Sequence, residues 1–299
     1  MNFLQFRGSI RLFLGMMILA LGTVSALANH PVLVEGNCNN PPAGNPASVA
    51  LGTCGDYDGD GRIGTAEDMD GDRVFGTITA AVGTIGGANL MSANQNGTVT
   101  IVTSGTFPEV ITITGNITLQ AAPGVVADLD AVLQGDPGNG VRQTQPGIIV
   151  NAPADRYVVI RNITSKNWTS GIQINSVSRV AIESCKFENN VNYGVEVTGN
   201  ARVTIAKSEI HATGFRQGGG NFPTANQPMP GKGIEFDDNS SGTVFLTTVT
   251  GSFAAGISNQ TNKSKNVCVN LVNVFDNSPN FQRVSPSKNG CDNSDDDDK

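Results

Sequence analysis

From residue 147 onward, apolar and polar residues alternate in short bursts, and the bursts recur. Rows begun at each glycine followed by a β-branched residue align five times, from Gly147, Gly171, Gly194, Gly233 and Gly256. The intervals are 24, 23, 39 and 23 residues, so the third row carries 16 more residues than its neighbours. Period two is strand spacing, not helix spacing. A repeat in the low twenties built from such strands marks a solenoid.

Three strands are predicted per row. The first turns Ile148/Val150, Ile172/Ile174, Val195/Val197, Ile234/Phe236 and Ile257 to one side. The second does the same with Val158/Ile160, Val180/Ile182, Val203/Ile205, Val244/Leu246 and Val267/Val269. The third supplies Ile163, Cys185, Ser208, Val249 and Val272, then Phe187, Ile210 and Val274 two residues later. Stacked on their equivalents, these strands make a coil with a narrow aliphatic core, neighbours lying about 4.8 Å apart. A leucine-rich-repeat horseshoe is the other solenoid to consider, but its helix and its Leu/Asn frame are missing. Ahead of the rows, Ile78, Ala81, Val82 and Ile85 fall at i, i+3, i+4 and i+7, which predicts a short amphipathic helix. Residues 96–122 then alternate as strands.

The pattern resembles the right-handed parallel β-helix, or pectin-lyase-like, superfamily over residues 75–277. The resemblance implies an all-β, right-handed parallel β-helix solenoid, with the short helix capping the open N-terminal end of the core. An uncovered end would be a template for aggregation. Activity does not follow, because the superfamily includes lyases, hydrolases, epimerases, phage tailspikes and adhesins.

The first 28 residues read as an export signal. Arg7 and Arg11 precede the apolar run LFLGMMILALG, and Ala26-Leu27-Ala28 forms a small-x-small cleavage site. The chain then divides into a signal peptide (1–28), an N-terminal segment (29–74), the β-helix (75–291) and an acidic tail (292–299). The expected mature chain has no membrane span and is placed in the periplasm, in the medium or at the cell surface. Without the two signal arginines, 17 basic groups face 26 acidic ones, a formal charge of −9. That balance argues against nucleic acid and anionic membranes as partners. Of five cysteines, Cys185 falls in an inward column and reads as a buried free thiol. The remaining four allow three pairings; proximity favours Cys38–Cys54 and Cys268–Cys291, in keeping with an oxidising compartment.

Residues 56–67, DYDGDGRIGTAE, resemble the EF-hand calcium loop position by position. Asp56, Asp58 and Asp60 take the first, third and fifth places, and Gly61 stands at the sharp turn. Arg62 offers its backbone carbonyl, Ile63 is the apolar anchor and Glu67 is the closing carboxylate. Four carboxylates so close in sequence repel one another unless a hard cation gathers them, so calcium is the expected cofactor. No entering helix precedes the loop, and no second complete loop pairs with it. The resemblance therefore implies a calcium knot that locks the N-terminal segment onto the solenoid, not a paired-loop partner module.

The register that buries Ile and Val turns other residues outward. Along the first strand these are Ile149, Gln173, Glu196, Glu235 and Ser258, followed by Asn151, Asn175, Thr198, Asp237 and Gln260. Glu196 and Glu235 then stack carboxylate over carboxylate with Asp237 alongside. Such an arrangement is destabilising unless a cation, a shared proton or a basic side chain intervenes. The long insertion, residues 217–232, leaves the coil just before Glu235 and is rich in Gly and Pro, as a groove-covering loop would be.

Three readings of this ladder compete. In a lyase, a bound cation would neutralise a uronate while Lys207, Arg216 or Lys232 removed the proton α to its carboxyl. In a hydrolase, two of Glu196, Glu235 and Asp237 would serve as acid and base, although stacked carboxylates sit too close for inversion. In the third, these are solvated surface positions. Asp237-Asp238 resembles a fragment of the galacturonase set, yet the Gly-His-Gly partner is missing, as are pectate-lyase basic signatures. Trp168, the single tryptophan, reads either as a sugar-stacking platform or as a packing aromatic. The expected role is an exported, calcium-binding β-helix with a binding or surface-structural function, its partner a polysaccharide or cell-surface glycan. The alternatives are a calcium-dependent lyase or hydrolase and a structural adhesin or assembly subunit.

Overall fold

The computed structural model describes residues 29–36, 52–55, 74–83, 89, 96–131, 145–211, 213–214, 231–261, 267–277 and 279–284. Its strands pair in parallel into three sheets, visited in turn by each coil. Sheet I has nine strands, among them Tyr157–Arg161, Arg179–Glu183, Arg202–Ala206, Ser241–Phe245 and Val267–Asn270. Sheet II has seven short strands running from Gly105–Phe107 to Asn273–Phe275. Sheet III also has seven, and includes Ile148–Val150, Ser170–Ser176, Tyr193–Gly199, Lys232–Phe236 and Ala255–Asn259. The right-handed, all-β parallel coil expected from the repeat is the observed architecture.

Inward columns follow the predicted alternation on sheet III: Ile148, Ile172, Val195, Ile234 and Ile257 are all fully buried. The row-opening glycines serve this packing. A Cβ on Gly194 would lie 2.5 Å from Ile210 Cγ2 on sheet II and 2.7 Å from the carbonyl oxygen of Gly233 one coil on. Only glycine lets sheet III close so tightly on sheet II.

Two predicted columns are corrected. Leu246 does not sit in the sheet I core; Ile205 pairs with Val244 and Val203 with Gly242. Leu246 is 49% exposed with φ at +49°. It occupies the corner from sheet I to sheet II, where Asn162, Ser184, Lys207 and Leu271 are also left-handed. Similarly, Val249 pairs with Ile210 and Val274, which puts it in the Phe187 column and not behind Ser208. Thr247 takes the place behind Ser208, whose backbone N–H donates to Thr247 Oγ1 at 3.4 Å.

At the N-terminal end, the helix Ile78–Val82 buries Ile78, Ala81 and Val82. Thr77 Oγ1 accepts from Ala80 N at 3.2 Å, and Glu109 accepts from Ile78 N and Thr79 N at 3.2 and 2.8 Å. Free N–H groups of the first turn are thereby satisfied by a hydroxyl and a carboxylate. Ile85 lies outside the described residues. The strand Asn29–Val34 inserts into sheet I between Val74–Phe75 and Asn96–Ile101, so part of segment 29–74 extends the coil. Among the described residues, no helix is long and apolar enough to cross a membrane. Cys54 and Cys268 are disulfide-bonded. Their expected partners, Cys38 and Cys291, lie outside the described residues, as do the expected signal peptide (1–28), the expected calcium loop (56–67) and the acidic tail (292–299).

Candidate functional site

Sheet III carries the polar ladder. Ile149, Gln173, Glu196, Glu235 and Ser258 stand in one register column, with Thr112 before them and Gln282 after. Beside this column, Thr114, Asn151, Asn175 and Asp237 are exposed, while Thr198 and Gln260 are half-buried. Amide, hydroxyl and carboxylate groups thus repeat coil by coil.

The two stacked glutamates are in different surroundings. Glu235 is 4% exposed and Ser258 wholly buried, so neither is the outward-facing surface group expected from alternation alone. The Lys232 ammonium, three residues earlier on the same strand, donates to Glu235 Oε1. The Tyr193 hydroxyl also hydrogen-bonds Glu235. Burial, followed by the charges of Glu235 and Glu196, pushes the Tyr193 hydroxyl well above the usual phenol range, keeping it a donor. Lysine therefore supplies the positive charge that the stacked carboxylates require.

Glu196 is half-buried. Its Oε2 accepts from Ser170 Oγ and from Gln173 Nε2, both at 3.0 Å. Burial raises its pKa above the ordinary carboxylate value, opposed by those two hydrogen bonds and reinforced by Glu235 and Asp237. Asp237 lies just beyond the strand, exposed, its Oδ1 accepting from Asp238 N at 2.7 Å. Sheet III thus brings Glu196 and Glu235 together and leaves Asp237 at the rim. Ser170, Gln173 and Tyr193 complete the cluster; alternation places Gln173 in the column and marks neither Ser170 nor Tyr193. Ser170 and Tyr193 precede the row-opening glycines, the one signal that could have marked them.

Other candidates separate from the ladder. Lys207 turns the corner between sheets I and II, and His211 stands exposed on sheet II beside Glu188 and Thr250. Arg216 and most of the insertion lie outside the described residues. Trp168 is 1% exposed and donates from Nε1 to the Leu129 carbonyl at 2.9 Å, so it packs and offers no sugar platform. Cys185 is free and buried, and burial pushes its thiol up to about 12, leaving it unreactive. The expected calcium ligands Asp56, Asp58, Asp60, Arg62 and Glu67 lie outside the described residues. Among the described residues, no group of three or more His, Cys, Asp or Glu is placed to hold a metal ion.

A family model described as "Right handed beta helix region" matches residues 95–272. No curated protein matches the chain. Among solved structures, one titled "Crystal structure of pectate lyase Pel9A" aligns at 14% identity with a TM-score of 0.41. That alignment covers 88% of this chain and 73% of the other.

Proposed function

From the premise that this chain belongs to the right-handed β-helix family, we propose that it is an exported binding or surface-structural protein whose sheet III meets a glycan. The observation that carries this reading is Glu196. It is half-exposed, its Oε2 is fixed by Ser170 and Gln173, and it lies among amides and hydroxyls in register. Planar amides and carboxylates at regular intervals can pair with the adjacent hydroxyls of a polyhydroxylated ligand. Glu235, its charge already met by Lys232, acts as a buried support beneath that face.

The experiment is affinity electrophoresis in gels containing neutral polysaccharides, comparing wild type with Glu196→Gln and Gln173→Ala. Retardation that falls in both variants, with circular dichroism unchanged, supports the reading. Equal mobility of all three proteins contradicts it.

The lyase and hydrolase readings need a free base or an open acid–base pair on the ladder. Lys232 and Glu235 are committed to each other, which favours binding over turnover. We propose that residues 56–67 hold calcium, because Asp56, Asp58, Asp60, Glu67 and the Arg62 carbonyl form an all-oxygen set suited to a hard cation. The ion would stiffen the N-terminal segment, with Cys38–Cys54 and Cys268–Cys291 as the proposed staples. Isothermal titration with calcium should show uptake above the buffer control, and Asp56→Asn with Asp60→Asn should abolish it.

A further inference from the structure

The corner between sheets III and I carries a feature that the ladder does not explain. Tyr157, Arg179 and Arg202 pair in register on successive strands of sheet I, so the two arginines sit one above the other. Adjacent strands are about 4.8 Å apart, and both arginine side chains are exposed. Like charges opposed on neighbouring strands cost stability unless a counter-charge is supplied.

Elsewhere on this sheet the counter-charge comes from the chain itself: Arg161 Nε contacts Glu183 Oε2 at 2.7 Å on the adjoining strand. Among the described residues, neither Arg179 nor Arg202 has an ion pair. Arg156 adds a third guanidinium, held by Asp155 at 2.5 Å, and the turn that carries it is closed by Arg156 N donating to the Pro153 carbonyl at 3.0 Å. Ala154, Asp155, Arg156, Tyr157 and Arg179 line an open concavity of about 570 Å³. Tyr157 is 51% exposed beside it, and its backbone N–H is fixed by Asn116 Oδ1 at 2.9 Å.

We propose that this corner binds an anionic glycan, with sulfate or carboxylate groups on Arg179 and Arg202 and a sugar ring against Tyr157. Guanidinium forks match planar and tetrahedral oxyanions, and an exposed tyrosine ring offers a flat apolar surface to a pyranose. Two cations repeated one coil apart select a ligand that repeats its charges, which a free ion does not. The concavity lies within the usual volume of small-ligand sites. On a chain of net charge −7, this local arrangement holds an anion by short-range pairing and not by overall attraction. The site is separate from sheet III, so it stands or falls independently of the reading given to Glu196.

The test is binding of dextran sulfate to the purified protein at low salt, by biolayer interferometry. Neutral dextran and inorganic sulfate at matched ionic strength are the comparison probes. Variants are Arg179→Gln/Arg202→Gln, each single change, and, as a control for loss of one guanidinium on the same sheet, Arg161→Gln, each checked by circular dichroism. Binding of dextran sulfate should weaken at least about tenfold in the double variant and little in the control. Neutral dextran should not report on either arginine. An equal loss in the control, absence of dextran sulfate binding, or equally tight binding of inorganic sulfate would overturn the assignment.

Discussion

Lys232 reaches Glu235, three residues further along the same strand, and neutralises a carboxylate whose side chain is 6% exposed. Glu235 in turn lies in register with Glu196 on the neighbouring coil. The ladder is thus a graded structure, with a buried ion pair at one rung and a half-exposed carboxylate with a raised pKa at the next.

Removing one partner of a buried pair leaves the other charge without compensation. Lys232→Met should therefore cost about 3 kcal/mol of stability. Lys232→Met/Glu235→Gln should recover most of that loss. Chemical denaturation of the single and double variants checks this; additive losses would show that the pair is not coupled.

Glu196 predicts a pH dependence of definite sign. Its folded pKa is raised, so the folded state holds the proton more tightly than the unfolded chain does. Any contribution from this group is greatest below the ordinary carboxylate pKa and is lost as pH rises through the folded value. The stability of Glu196→Gln relative to wild type should then increase between about pH 4 and pH 7. Parallel melting curves over that range read the difference directly, and a flat or falling difference is the contrary result.

Phe236 and Gly242 form a size-compensated pair. A Cβ on Gly242 would lie 2.5 Å from Phe236 Cε1, and the same two places hold Val197 and Val203 one coil earlier. Gly242→Val should destabilise by about 1–3 kcal/mol through overpacking. Phe236→Val should leave a cavity. The double variant, copying the neighbouring coil, should be more stable than the sum of the two losses allows, as a double-mutant cycle in urea would reveal.

Trp168 should behave as core. Trp168→Ala should cost about 3–5 kcal/mol, and the native fluorescence should resist quenching by acrylamide. Ready quenching, or loss of glycan binding at full stability, would restore the platform role.

Legibility tracked how local each determinant was. Alternation and row glycines are written in single strands, so the coil, its sheet III core and the stacking of Glu196 on Glu235 could be read from the chain. Leu246 and Val249 were misplaced because Gly242 gives up its column to a ring from Phe236, two strands' worth of sequence combined in one core volume. The left-handed corners were equally hidden, since Leu246, Leu271 and Lys207 carry no turn chemistry of the kind Asn162 does. At the site, alternation predicted direction but not burial, and Glu235 owes its state to Lys232 and Tyr193. The paired arginines needed the register of sheet I before their opposition was visible.

Retention and turnover measured together on one glycan panel, in calcium and in chelator, test glycan binding at sheet III most directly. Both unsaturated-product absorbance and new reducing ends would be followed. Retention should depend on Glu196, with neither product signal above background. Product that accumulates with wild type and disappears in a folded Glu196→Gln variant would contradict it and make the ladder a catalytic site.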